Sequence, residues 1–303
     1  MSKQTGNGLT QRHHAVQSTS TSTSTTPSTS SSTPTLHDST ASIWSPNPER
    51  ARAEQFFLLW AVGWVGLMAY IVYTRWFETF TPNHYLAVGL LLVLVPTLTP
   101  IALPDLFLAA HLPLHRRYTT KANCYVFILA WIANYLWTHY FYQVLHATYT
   151  FHAHRLNDVP FALYLITHSC FHLYPVLSSI LLRLTLRRLG VAGAVVAILV
   201  FAYVTAFMET FTIQHFPYYD IPDRRAMYIV GSVFYGLYFV VSYPMFYQLD
   251  EYANRWSLWR TVVEAMGCSM MITLLLDAWR LGIGKVTDKP AANPPQQTVP
   301  FIY

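Results

Sequence analysis

Apolar residues along the chain are gathered into long runs separated by short polar stretches. A helix needs about 20 residues to cross the hydrocarbon layer, at 1.5 Å rise per residue. Seven runs approach this length, at residues 56–74, 85–103, 123–145, 160–182, 191–213, 226–247 and 261–279. The second contains Pro96 and Pro100, which a helix inside a bundle tolerates as kinks. The pattern predicts an all-α, polytopic membrane helix bundle of about seven transmembrane helices.

The two ends of the chain differ from this central region. Residues 18–35 hold sixteen Ser or Thr and two Pro, with no charge. Such a segment has too few apolar side chains to offset the entropy lost on folding. We therefore predict a disordered Ser/Thr-rich tail over 1–50, a transmembrane domain over 51–285 and a Pro-rich C-terminal tail over 286–303.

Composition and charge agree with a membrane protein. Charged residues make up 11% of the chain, against roughly 25% in soluble domains. The net charge is +5, but the basic residues lie between the apolar runs, so we expect a lipid bilayer as partner and no nucleic acid. More Lys and Arg lie at the span ends on the N-terminal side, which favours a cytosolic N-terminus and a C-terminus across the membrane.

Metal and cofactor motifs do not occur in the sequence. The thirteen histidines contain no HxxHH box of the membrane di-iron kind. Cys124, Cys170 and Cys268 lie inside apolar runs without metal-ligand spacing. A Gly-rich phosphate loop, a nucleophile elbow and a haem motif are also absent. We therefore expect no metal and no cofactor, which leaves acid–base chemistry or binding in an apolar cavity.

A few ionisable side chains lie at membrane depth, where a charge costs several kcal/mol. They are His139, His168, His172, Glu209, Glu264 and Asp277. If successive spans alternate in direction, His139, His168, Glu209 and Asp277 fall in the same half of the bilayer, and Glu264 lies about 20 Å away near the opposite surface. These four residues can therefore meet in one site.

Each of these residues also has a structural explanation. Glu209 has small or polar neighbours on its helix face, which suits a cavity, but a hydrogen bond within the bundle also explains it. A pair such as His168 and His172, at i and i+4, is more often structural than metal-binding. Asp277 has Arg280 three residues further on, so an intrahelical ion pair is its alternative.

Ten short segments spread over residues 45–285 together resemble one family. They are Phe77–Thr81, Asn134–Phe141, Thr167-His168, Met208–Thr210, Phe216–Asp220, Asp223-Arg224, Met227-Tyr228, Tyr243–Phe246, Asp250-Glu251 and Leu276–Arg280. The family is that of the cycloeucalenol cycloisomerases, the cyclopropyl sterol isomerases of plants, algae and some protists. The Ser/Thr-rich tail lies outside the resemblance.

The resemblance implies a cofactor-free isomerase of the endoplasmic reticulum membrane, formally an intramolecular lyase. Its members open the 9β,19-cyclopropane ring of cycloeucalenol to give obtusifoliol, a step in sterol biosynthesis. Opening the ring requires a proton on C19 and leaves positive charge near C9, after which a base removes the C8 hydrogen. The acid must be held protonated in dry surroundings, and aromatic faces can stabilise the cation.

This chemistry suggests a role for each candidate residue. We expect Glu209 to donate the proton and His139 or His168 to act as base or proton relay. The residues expected to contact the substrate or its cation are Tyr135, Trp137, Tyr218, Tyr219 and Asp277. This arrangement requires Glu209, His139 and His168 to line one sterol-sized cavity.

Two other functions fit the same sequence. A sterol isomerase that moves a double bond, of the emopamil-binding-protein kind, needs the same acid, cation and base. A seven-helix sterol transporter or receptor binds a sterol without changing it and needs no buried proton donor.

Overall fold

The computed structural model describes residues 42–213, 216–252 and 255–289, and a short strand at 299–300. The α-helices are α1 (Pro48–Tyr73), α2 (Pro82–Ala102), α3 (Tyr118–Ile132), α4 (Thr138–Tyr140), α5 (Phe161–Ile213), α6 (Arg224–Ala226), α7 (Ser232–Tyr247) and α8 (Leu258–Gly282). Short 3-10 turns span Trp76–Thr79, Pro104–Phe107 and Leu114–Arg116. The strands are β1 (Thr148–Tyr149), β2 (His154–Leu156), β3 (Val159–Pro160), β4 (Tyr219–Asp220) and β5 (Val299–Pro300). The fold is helical, as predicted.

Several helices are long and apolar enough to cross a membrane. Within the described residues there are five such segments, at Pro48–Tyr73, Pro82–Ala102, Phe161–Ile213, Arg224–Tyr247 and Leu258–Gly282. A multi-pass membrane protein is therefore confirmed, with five helical segments where the sequence predicts about seven spans. The difference arises from α5, which contains two predicted spans, and from α3, which is too short by itself.

The chain remains helical beyond α3 because two π-helical turns extend it to residue 145. They span Ala133–Trp137 and Phe141–Leu145, on either side of α4. A π turn takes up an extra residue and rotates the side chains that follow it, and such turns are frequent at functional sites. The predicted span 123–145 is thus helical, but its faces do not follow a regular α-helical period.

The 53 residues of α5 form two helices joined at Gly190, where φ is 66° and ψ is −166°. A positive φ favours glycine because a side chain would be strained there. The predicted spans 160–182 and 191–213 lie on either side of this kink. The sequence predicts a basic loop between them, and this prediction is wrong, since residues 183–189 are helical.

Helix α2 continues through both of its prolines because other helices satisfy the carbonyl groups that the prolines leave free. A proline cannot donate to the carbonyl four residues before it. The Ser169 hydroxyl of α5 donates to Leu92 O at 2.6 Å, and the Asn123 amide of α3 donates to Pro96 O at 3.2 Å. The hydrogen bonds to these two free carbonyls therefore hold α2 against α3 and α5.

A cluster of buried ion pairs joins the helices near the N-terminal end of α1. The Arg50 guanidinium contacts Glu54 Oε1 at 2.8 Å, and Arg183 Nε contacts Glu251 Oε1 at 2.6 Å. Arg183 also pairs with Glu54, so the two arginines and two glutamates form one network. All four side chains are at most 2% exposed.

Neighbouring contacts extend this network. Lys121 of α3 pairs with Asp250, and its Nζ also donates to Trp256 O at 3.1 Å. Arg50 Nη2 donates to Ser179 Oγ at 2.9 Å. The basic residues that the sequence places at the span ends include Arg50, Lys121 and Arg183. In the structure these three are buried and paired inside the protein rather than exposed in loops.

The folded part of the chain begins earlier than the predicted boundary at residue 50. Helix α1 begins at Pro48, and Ser45, Glu49 and Arg50 are buried. The Asn47 side chain caps α1 by accepting from Glu49 N at 3.1 Å. Residues 42–50 therefore belong to the helical domain, whereas the rest of the predicted tail, 1–41, lies outside the described residues.

The ion-pair network predicts a large loss of stability when one partner is removed. Arg183→Met leaves Glu54 and Glu251 buried with one cation fewer, which costs roughly 3–5 kcal/mol. Arg187→Met is the matched control, since Arg187 is exposed one turn later and donates to the Ser42 carbonyl at 2.8 Å. Thermal unfolding of the detergent-solubilised protein, followed by tryptophan fluorescence, measures both. Equal midpoints for the two variants would contradict a structural role for the network.

Candidate active site

Glu209 borders a small cavity between α5, α7 and the π-helical part of the chain after α3. The residues that line it are Ala133, Asn134, Thr138, Phe141, Tyr149, Thr167, Phe171, Glu209, Thr210, Ile213, Tyr219, Met227, Tyr235 and Tyr238. Its volume is about 70 Å³, well below the roughly 300–1,000 Å³ of typical small-molecule sites. A sterol-sized ligand would therefore have to displace some of these side chains.

Tyrosine hydroxyls surround the Glu209 carboxyl. The Tyr174 hydroxyl donates to Glu209 Oε2 over 3.4 Å. The kink at Gly190 makes this contact possible, because Tyr174 and Glu209 lie on opposite sides of it in α5. Tyr235 of α7 is a second hydrogen-bonding partner of the same carboxyl. Phenol groups can donate to a carboxyl oxygen without supplying a positive charge.

Two short strands bring further aromatic rings to the cavity. β1 and β4 pair antiparallel, with Tyr149 opposite Tyr219, and their ring centroids lie 4.8 Å apart. The pairing forms because both segments are extended connections that leave the ends of long helices. Burial raises the pKa of Tyr149 and of Tyr219, so both phenols keep their protons near neutral pH.

Glu209 differs from the buried carboxylates of the ion-pair network. Glu54 and Glu251 each contact an arginine. Across 42–213, 216–252 and 255–289, no salt bridge involves Glu209. A carboxyl with hydroxyl donors and no cation in low-dielectric surroundings favours its neutral, proton-carrying form. The arrangement is suited to donating a proton to a weakly basic group in the cavity.

His139 lies in a different cavity from Glu209. Its neighbours there are Leu136, Tyr140, Gln143, Thr273, Asp277 and Arg280, around a volume of about 360 Å³. Thr138 and Phe141 face Glu209, whereas His139, between them in sequence, points to α8. A helix rotates about 100° per residue, so neighbouring residues on this segment reach opposite cavities.

His168 is also separate from the Glu209 cavity. Its Nε2 lies 3.1 Å from Asn123 Oδ1, and its ring is 4.7 Å from that of His172. Asn123 is the same residue that donates to the Pro96 carbonyl, so His168 packs at the junction of α2, α3 and α5. The predicted common cavity for Glu209, His139 and His168 is therefore not formed, and that part of the prediction is corrected.

The five predicted substrate-contacting residues lie in different places. Tyr219 lines the Glu209 cavity and Asp277 lines the His139 cavity. Asp277 is paired with Arg280 at 2.7 Å, so the intrahelical ion pair that was the alternative explanation for this residue is present. Trp137 is fully buried behind the cavity, with its Nε1 donating to Thr273 Oγ1 at 2.9 Å and its ring 4.7 Å from that of Tyr238.

Tyr135 and Tyr218 are outside both cavities. Tyr135 is 42% exposed. Tyr218 packs between Phe77 and Phe216, with ring centroids 5.7 and 5.5 Å away. Tyr218 lies in the turn before β4 and is not among the residues that line the cavity, whereas its neighbour Tyr219 is. Neither side chain touches the cavity where the chemistry was expected.

Sequence reasoning missed several residues around Glu209. These are Asn134, Tyr149, Tyr174, Tyr235 and Tyr238. Asn134 belongs to one of the segments that carry the family resemblance, which is the signal that could have identified it. The tyrosines have no such signal, because their apolar neighbours in sequence make them look like ordinary packing residues.

The described residues offer no obvious metal site. Among them, no three His, Cys, Asp or Glu side chains are grouped to hold a metal ion. The polar groups that face the Glu209 cavity are one carboxyl, one carboxamide and several hydroxyls. These groups can position a ligand and move a proton.

The helices and the cavity together define a multi-pass membrane protein with a carboxyl group in an aromatic pocket. Comparison with known proteins identifies the family. The chain is 39% identical over 269 residues to cycloeucalenol cycloisomerase of Arabidopsis thaliana, a match that covers 83% of this chain and 93% of the Arabidopsis protein. The chain belongs to the cycloeucalenol cycloisomerase family, a family of isomerases, as the short segments of its sequence predict. No protein-family model and no solved structure matches it.

The contact between Tyr174 and Glu209 predicts a specific loss of isomerase activity. Tyr174→Phe removes only the hydroxyl that donates to the carboxyl, and a hydrogen bond of this type is worth about 1–2 kcal/mol. We expect kcat to fall roughly tenfold. Tyr164→Phe is the control, because its hydroxyl donates to Leu156 O, away from the cavity. Equal rates for the two variants, measured as product formed per folded protein, would rule out a role for the Tyr174 hydroxyl.

Proposed function

We propose that this protein is a cycloeucalenol cycloisomerase of the endoplasmic reticulum membrane, which opens the 9β,19-cyclopropane ring of cycloeucalenol to give obtusifoliol. The observation that carries the proposal is the Glu209 carboxyl in its tyrosine-lined cavity, where the described part of the chain places no cation in a salt bridge with it. The name of the Arabidopsis relative supplies the substrate class. A cyclopropane is a very weak base, so it needs a proton donor of this kind.

In the proposed mechanism Glu209 donates its proton to C19. The C9–C19 bond breaks as its electron pair forms the new C19–H bond, and positive charge develops near C9. The rings of Tyr149, Tyr219, Tyr235 and Tyr238 border the cavity and can stabilise a cation through their faces. A base then removes the C8 hydrogen as a proton, and the C8–H electron pair forms the C8–C9 double bond. Tyrosine faces stabilise the cation without forming a bond to it.

The test of Glu209 is direct. Glu209→Gln keeps the size of the side chain and removes the acidic proton, and general acid catalysis contributes about 10²–10⁴-fold. We expect the conversion of cycloeucalenol to fall by this factor in membranes from a host that lacks the enzyme. Product analysis by gas chromatography and mass spectrometry measures it.

Glu264→Gln serves as the matched control for this variant. Glu264 lies on α8, partly exposed and paired with Arg260 at 3.3 Å, outside the residues that line either cavity. We expect it to keep wild-type activity. Wild-type turnover by a well-expressed Glu209→Gln variant would remove Glu209 as the acid. A wild-type protein that shifts the double bond of a Δ8 sterol but leaves the cyclopropane intact, or that binds sterol without a product, would replace the proposed function with one of its alternatives.

We further propose that the chain crosses the membrane seven times. The passes are 48–73, 82–102, 118–145, 161–189, 191–213, 224–247 and 258–282. The kink at Gly190 supports the count, because each half of α5 is long enough to span the bilayer by itself. The π turns after α3 support it as well, since they extend a 15-residue helix to residue 145.

An odd number of passes places the two ends of the domain on opposite sides. We expect Ser42→Cys to react with an impermeant maleimide in intact microsomes and Asp288→Cys to react only after the membrane is opened. Both positions are exposed. The three native cysteines are replaced by alanine in both proteins. Labelling of both positions in intact vesicles would contradict seven passes.

A further inference from the structure

Among the described residues, the cavity presents its acid without a separate base beside it. Glu209 lines the cavity, whereas His139 lines the neighbouring cavity against α8 and His168 packs at the junction of α2, α3 and α5. The opening of a cyclopropane nevertheless requires two proton transfers, one to C19 and one from C8. The structure therefore raises the question of which group accepts the second proton.

We propose that Glu209 performs both transfers, first as the acid and then as the base, so that one carboxyl completes the reaction. This inference rests on the proposed function, since it concerns the opening of a cyclopropyl sterol. It assigns to Glu209 the role that the sequence suggested for His139 or His168.

The geometry of the substrate permits this double role. C19 is bonded to C9, and C8 is the next ring carbon, so the two reacting positions are separated by one atom. The cyclopropane carbon and the C8 hydrogen lie on the same β face of the sterol. A carboxyl group above that face can reach both positions with its two oxygens, and the substrate does not have to turn over between the steps.

The steps balance without another reactant. The Glu209 O–H bond breaks, its proton goes to C19, and the C9–C19 electron pair becomes the new C–H bond. The product of this step is a cation at C9 beside a Glu209 carboxylate. The carboxylate then takes the C8 hydrogen as a proton, and the C8–H electron pair becomes the C8–C9 double bond. Glu209 ends protonated, as it began.

The groups around Glu209 support this assignment. The titratable side chains that interact with it electrostatically are Tyr149, Cys170, Tyr174, Tyr219, Tyr235 and Tyr238, with Tyr243 behind them. They come from both halves of α5, from α7 and from the paired strands β1 and β4. Phenols and a thiol that keep their protons cannot accept another from carbon. The carboxylate formed in the first step is the strongest base at the cavity among the described residues.

The pH dependence of the wild-type enzyme tests the proposal. One carboxyl that must start protonated gives a kcat/KM that falls on the alkaline side alone, whereas an acid with a separate histidine base gives a bell-shaped profile. Between about pH 5 and about pH 9, we expect kcat/KM to fall only toward high pH, giving a single alkaline limb. The measurement is restricted to the range where circular dichroism shows the protein folded. A second, acidic limb with the protein still folded would overturn the proposal.

Histidine variants provide the second measurement. His139→Gln, His168→Gln and His215→Gln are compared with wild type; His215 lies outside the described residues. We expect each folded variant to keep kcat within about threefold of wild type and to show the same single limb. A variant that elutes as folded protein and loses more than about a hundredfold would identify a separate base and overturn the proposal.

The two hypotheses fail in different ways. If the wild-type protein gives no obtusifoliol from cycloeucalenol, the proposed function is wrong. If it gives obtusifoliol with a bell-shaped profile, the function stands and the single-carboxyl mechanism is wrong. The wild-type profile does not depend on the folding of any variant.

Discussion

The cost of leaving a polar group unpaired in a membrane interior governs this structure. A bilayer offers no water to hydrogen-bond a free carbonyl or to solvate a charge. The carbonyl groups freed by Pro96 and Pro100 therefore accept from Ser169 and Asn123, and Arg50 and Arg183 are paired with carboxylates. The contacts to the free carbonyls join α2 to α3 and α5, and Arg183 joins α5 to α1 through Glu54, so the requirement for partners also determines how the helices pack.

Glu209 is the informative exception to this rule. Its described partners are tyrosine hydroxyls, which satisfy a carboxyl group without neutralising a charge. A carboxyl held in this way beside aromatic rings has the surroundings that the proposed proton donor requires. A buried charge without a partner is unfavourable. The carboxylates of the ion-pair network are therefore paired with arginines, whereas a buried carboxyl without a cation favours its neutral form, which suits acid chemistry.

The sequence predicted the helical class and most membrane-spanning segments because hydrophobic length is a property of the chain alone. It did not predict that residues 183–189 continue α5 as a helix. Several arginines between two apolar runs indicate a loop, unless the carboxylates that pair with them are known. Arg183 is tolerated in that helix since Glu54 and Glu251, distant in sequence, pair with it. The start of the folded domain was missed for the same reason, as Arg50 belongs to the same network.

For the site, the sequence by itself determined which ionisable residues lie at membrane depth and which family the chain resembles. Glu209 was found in this way because a carboxyl in an apolar run is rare and costly. Only the tertiary structure decided its neighbours: the helix rotation between Thr138 and His139 places His139 in a different cavity, the kink at Gly190 brings Tyr174 to the carboxyl, and the pairing of β1 with β4 adds Tyr149 and Tyr219. Hydrophobicity and charge belong to each residue, whereas the direction of a side chain depends on the packing of helices that are far apart in sequence.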